Sequence, residues 1–101
     1  MNRVLLIEDD ELIRIALGLA LEDEGYSVAT ASDGESGLTA AIDSAPDVVL
    51  LDVRLPDISG FDVCRRIRSQ SAVPIIMVTA QTDSHDAVSY THLRAHETRE
   101  D

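Results

Sequence analysis

Lysine is absent from this 101-residue chain: all eight bases are arginines, set against 19 acids, for a formal charge of −11. So acidic a surface excludes the basic footprint that direct nucleic-acid binding requires. It attracts cations instead. Cysteine is nearly absent as well. Cys64 is alone and has no internal disulfide partner. Its place beside Phe61 and Ile67 in a helical pattern predicts a buried, inert thiol. No uninterrupted apolar run exceeds four residues, so neither a membrane span nor a signal peptide is legible, and a cytoplasmic location is the expectation. Repeats and low-complexity tracts are also lacking.

What is present is the composition of one small globular domain: 45% apolar residues in a length that leaves room for a single modest core. Its centre is Asp47-Val48-Val49-Leu50-Leu51-Asp52, followed by Val53-Arg54-Leu55-Pro56-Asp57. Four apolar residues, two of them β-branched, bounded by acids and a downstream proline, predict a short strand buried on both faces. Val4-Leu5-Leu6-Ile7 predicts another such strand, ending in Glu8, Asp9 and Asp10. Leu12, Ile13, Ala16, Leu17, Ala20 and Leu21 then recur at helical spacing, and Gly25 stands where a C′ glycine stops a helix.

Ser27 to Ala31 predicts a shorter strand nearer an edge. Ser32-Asp33-Gly34-Glu35 has capping-box spacing and opens a helix carrying Leu38, Ala41, Ile42 and Ala45. After the central strand and the loop from Val53 to Ser59, a third helix runs from Ser59 through Arg68. Pro74 introduces the strand Ile75-Ile76-Met77-Val78, which ends in Thr79-Ala80, and Asp83 to Val88 begins a fourth helix. This alternation with short connections predicts βαβ units in an α/β, doubly wound parallel sheet.

In such a sheet ligands bind outside the C-terminal ends of the strands. Asp9 and Asp10 end the first strand, Asp52 the third and Thr79 the fourth, so with the first strand beside the third they converge on one crevice. Two unit charges ~5 Å apart at an effective dielectric of ~20 repel by roughly 3 kcal/mol. Several such pairs require a cation or retained protons. Hard oxygen ligands suit Mg²⁺, and a Thr79 hydroxyl would bond an anion held by that metal. Singly, each residue has a plainer role: Asp10 as a helix N-cap, Asp9 as a solvated acid, Thr79 as an ordinary strand end.

Through Val4-Leu5-Leu6-Ile7-Glu8-Asp9-Asp10, Asp47 to Asp52, Leu55-Pro56 with Gly60, and Val78-Thr79-Ala80, the chain resembles bacterial two-component response-regulator receiver domains over residues 1–88. The resemblance implies a flavodoxin-like, CheY-like sheet, here of strand order 2-1-3-4 with the fifth strand missing. It implies that Asp52 is a phosphoacceptor served by a sensor histidine kinase. It further implies that Asp10 binds Mg²⁺ directly and Asp9 largely through water, that the Arg54 carbonyl is another ligand, that Thr79 is a switch hydroxyl and that the Ala80 amide reaches the phosphate. The implied output is transcriptional, through an effector domain, typically DNA-binding. A self-phosphorylating signalling module of this kind is not a turnover enzyme.

The chain departs from that family pattern after Val88. Receivers carry a lysine at the end of the fifth strand, about twenty residues past the threonine, and this sequence holds none. Residues 89–101 include two of the three histidines and have no strand-like run. They are expected to be a non-family tail, of read-through or adaptor-derived character, joined to an incomplete receiver. A receiver fragment that no longer switches is therefore one alternative. A haloacid-dehalogenase-type phosphotransferase is another, disfavoured because those enzymes place a second aspartate where Arg54 stands.

Overall fold

A computed structural model describes residues 2–78 of the chain, which form β1 (Arg3–Ile7), α1 (Glu11–Asp23), β2 (Ser27–Ala31), α2 (Gly34–Asp43), β3 (Val48–Asp52), α3 (Gly60–Arg68) and β4 (Ile75–Val78). Every strand pair is parallel, and the order is β2-β1-β3-β4. The expected doubly wound sheet is what the described residues build. Thr79, Ala80, the fourth helix from Asp83 and the tail at 89–101 lie outside them.

Register explains the core. Leu5 pairs with Val49, and Val49 with Ile75; Ile7 pairs with Leu51, and Leu51 with Met77. Alternate residues of a strand share a face, so these six side chains form two rows on one side of the sheet. All six are buried, together with Val63, Cys64 and Ile67 of α3 and Ala41 of α2. Full burial of such a side chain contributes about 1.5–3 kcal/mol. Cys64 is the buried thiol that its spacing predicts, whereas its neighbour Phe61 stands 42% exposed.

The opposite face belongs to α1, whose Arg14, Ile15, Gly18 and Leu19 border a groove with Val28 and Thr30 of β2. No residue of α1 is fully buried, and Leu12, Ile15 and Leu19 are exposed. Helical periodicity identified this helix, and Leu12, the first of its apolar series, stands exposed. Its end is as expected: Gly25 has φ +99°, its N–H donates to the Glu22 carbonyl, and the Tyr26 N–H donates to that of Leu21. Those two bonds make a Schellman stop.

The start of α2 is shifted by one residue from the capping box expected at Ser32. Asp33 is the N-cap, its Oδ1 accepting from the Ser36 N–H at 2.7 Å. Glu35 turns outward to pair with Arg66 of α3 at 3.1 Å. Ser59 caps α3, accepting from the Phe61 N–H at 3.0 Å. Gly60 follows at a point of close approach: a Cβ there would overlap the Asp52 carbonyl oxygen, and its N–H donates to the Val53 carbonyl at 2.9 Å. The loop after β3 thus closes on itself directly beneath the strand end.

Candidate functional site

Because Ile7 lies opposite Leu51, the next residue on each strand, Glu8 and Asp52, emerges side by side at the C-terminal edge of the sheet. Glu8 is kept in the sheet by its N–H, which donates to the Ala31 carbonyl of β2 at 3.0 Å. Both carboxyls are buried, at 2% and 4% exposure, while Asp9 is exposed. Glu8, Asp9 and Asp52 each offer an oxygen, and these oxygens lie within 4.8 Å of one another. Among the described residues this is the acidic cluster the sequence anticipated, with one member changed.

That member is Asp10. Expected from the resemblance to bind metal directly, it is not in the cluster the described residues form; its Oδ1 caps α1, accepting from the Ile13 N–H at 3.0 Å. Its own N–H donates to Glu8 Oε2 at 3.0 Å. Sequence reasoning passed over Glu8. The signal was available: Glu8 follows the last buried residue of β1 as Asp52 follows Leu51 in β3, whereas Asp10 is two residues further on, where the chain has turned into a helix.

Burial and proximity shape the electrostatics. Desolvation, reinforced by the hydrogen bond to Asp52 and by the charges of Asp52 and Asp9, pushes the Glu8 carboxyl up to about 7. Desolvation also raises Asp52, opposed by hydrogen bonds from the Arg54 N–H and from Glu8. Both shifts run upward, so the pair retains a proton that isolated carboxyls would have lost. The Arg54 N–H donates to Asp52 Oδ1 at 3.2 Å. On the other side Arg14 Nη1 donates to the carbonyls of Glu8 at 2.9 Å and Asp9 at 3.4 Å, steadying the turn from β1 into α1.

Three carboxylate oxygens converging with one side open to solvent are the donor set of a small hard cation that keeps some of its water. The residues present fit Mg²⁺. Glu8, Asp9 and Asp52 are the carboxylates that could hold it among the described residues. Arg54 lies two residues past Asp52, on the loop that borders the open side.

A profile of the response regulator receiver domain matches residues 4–98. The transcriptional regulatory protein AfsQ1 of Streptomyces coelicolor is 52% identical over 88 residues, which is 87% of this chain and 39% of AfsQ1. The DNA-binding response regulator MtrA of Mycolicibacterium smegmatis is 45% identical over 87 residues, 86% of this chain and 38% of MtrA. The chain thus spans well under half the length of these curated relatives. Among solved structures, the response regulator TrrA of Thermotoga maritima, in complex with Mg²⁺-BeF, is similar at TM-score 0.78 and 33% identity, covering 92% of this chain and 81% of TrrA. The chemotaxis protein CheY4 of Vibrio cholerae is similar at TM-score 0.76 and 33% identity, covering 92% and 80%. No helix of the described residues is long and apolar enough to cross a membrane.

Proposed function

We propose that this chain, which belongs to the response regulator receiver domain family, takes a phosphoryl group on Asp52 from a sensor histidine kinase. It is a receiver domain of two-component phosphorelay signalling. The observation that carries the assignment of Asp52 is its position: a buried carboxylate ending the central strand, with Oδ1 steadied by the Arg54 N–H and Glu8 and Asp9 beside it.

Asp9, Asp52 and the Arg54 carbonyl would hold Mg²⁺, with Glu8 beside them; the similar TrrA structure was obtained with this ion. Mg²⁺ bound there supplies positive charge that offsets the carboxylates and the incoming phosphoryl oxygens. The rest is work for the chain's own side chains. The nucleophile is the Asp52 carboxylate, formed once the proton retained by the buried pair is released. One of its oxygens then attacks phosphorus in line as the donor's P–N bond breaks, leaving an acyl phosphate. Thr79 and Ala80 follow Val78, whose partner in register is Asp52. We assign them the hydroxyl and the amide that meet the new phosphate.

The output is a conformational signal rather than turnover of a substrate. A DNA-binding effector domain is the partner that the names of AfsQ1 and MtrA support. The division we propose from the sequence is a receiver over 1–88 and a tail at 89–101, while the family profile runs on to residue 98. Incubation with acetyl phosphate and Mg²⁺ tests the central assignment. Intact-mass analysis should find one added phosphoryl group, absent in Asp52→Asn. Undiminished labelling of that variant rejects Asp52 as the acceptor.

A further inference from the structure

We propose that Asp57 is a positioning residue for the metal site, clasping the first turn of α2 so that the 53–59 loop holds the Arg54 carbonyl beside Asp52. This rests on the site proposed above, and adds to it a residue that touches neither metal nor phosphate.

The loop is tied at four points, one of them the Val53 N–H, which donates to the Val78 carbonyl of β4 at 3.1 Å. At its start the Arg54 N–H donates to Asp52 Oδ1, and across its base the Gly60 N–H donates to the Val53 carbonyl. Both ties lie within the loop and its ends, so they leave its tip free to swing. The fourth reaches the tip of the loop from α2. Asp57 Oδ1 accepts from the Gly34 N–H at 2.8 Å and Oδ2 from the Glu35 N–H at 2.9 Å, using both carboxylate oxygens on consecutive amides. Those two bonds, in that order, hold the Asp57 carboxyl below its ordinary range. Ile58 fits over Gly34, in space that a Cβ at that glycine would occupy.

Capping alone does not account for this arrangement. The helix has its own N-cap in Asp33, which serves the Ser36 N–H. Asp57 takes the two amides left over, from 23 positions away in sequence, and so links the helix to the loop. The Arg66–Glu35 pair joins α3, which leaves the loop, to the same turn of α2. A carbonyl ligand has no rotamer of its own; its place is the place of the backbone, which is held from outside by the Val53–Val78 bond on one side of Arg54 and by Asp57 on the other.

The test compares the chain with Asp57→Ala and Asp33→Ala, titrating each with Mg²⁺ while following backbone amide NMR shifts and the exchange rate of the Arg54 amide. Each substitution removes a cap from α2, but only the first releases the loop. Asp57→Ala is expected to raise the Mg²⁺ Kd about tenfold, in the range of residues that support metal ligands indirectly, and to speed Arg54 exchange. Asp33→Ala should change neither by more than about twofold, and Asp57→Asn, which keeps one acceptor oxygen, should fall between. Equal weakening by Asp57→Ala and Asp33→Ala, or an unchanged Kd in Asp57→Ala, overturns the proposal. If the parent chain shows no saturable Mg²⁺ binding, the metal-site reading itself fails. The loop-holding role is then decided by Arg54 exchange, and unchanged exchange in Asp57→Ala rejects it.

Discussion

Glu8 and Asp52 stand side by side at the ends of β1 and β3, both buried, and burial raises both carboxyls. That relationship ties the acceptor's charge to pH. It also makes the glutamate, which looks like a spare acid in the sequence, a partner in the proton held beside the acceptor.

The sign of the pH dependence follows. Glu8 is raised from 4.5 to about 7 in the folded chain, so between those values the folded state keeps a proton that the unfolded state has lost. Stability from this group is complete below the lower value and is lost as pH rises through the upper one. Urea midpoints measured in EDTA should therefore decline from about pH 5 to about pH 7, and Glu8→Gln should flatten that decline. Mg²⁺ affinity should run the other way, increasing over the same interval because the ion displaces the proton. A Mg²⁺ affinity independent of pH, or a decline that persists in Glu8→Gln, contradicts the shared-proton arrangement.

Asp9 and Asp10 are neighbours with separate duties. Asp10→Ala should cost about 1 kcal/mol of stability through the lost N-cap and leave Mg²⁺ affinity nearly unchanged. Asp9→Asn should lower that affinity at least tenfold, roughly the smallest loss expected when a ligand or its support is removed, with little effect on the thermal midpoint. Calorimetry and Mg²⁺ titration of the two variants separate the roles. A reversed pattern would return Asp10 to the metal.

Gly60 is required by space. A side chain there meets the carbonyl of Asp52, which is backbone and has nowhere to move without shifting the strand end. Gly60→Ala should destabilise the fold by about 1–3 kcal/mol, the usual cost of overpacking. It should also slow acetyl phosphate labelling by roughly tenfold or more, since small displacements of a reacting group are costly. Chemical denaturation and the labelling rate provide the two measurements, and wild-type behaviour in both would show the contact to be soft.

Much of this protein is local, and local features were readable. The runs Val4–Ile7, Val48–Leu51 and Ile75–Val78 are strands because apolar β-branched stretches this short gain most in a covered sheet. Gly25 stops α1 because a left-handed residue was needed there. The charge pattern alone pointed to a cation or retained protons at the strand ends. Which of the successive acids Glu8, Asp9 and Asp10 would meet Asp52 was a different kind of question. It depends on the register of Ile7 with Leu51 and on the residue at which strand turns into helix, and both are set by packing between segments some forty residues apart. The same holds for Asp57, which in sequence is an acid in a loop. Only the folded chain brings it against the amides of Gly34 and Glu35. Periodicity records the face a residue presents within its own element, whereas pairing across elements is a property of the assembled sheet.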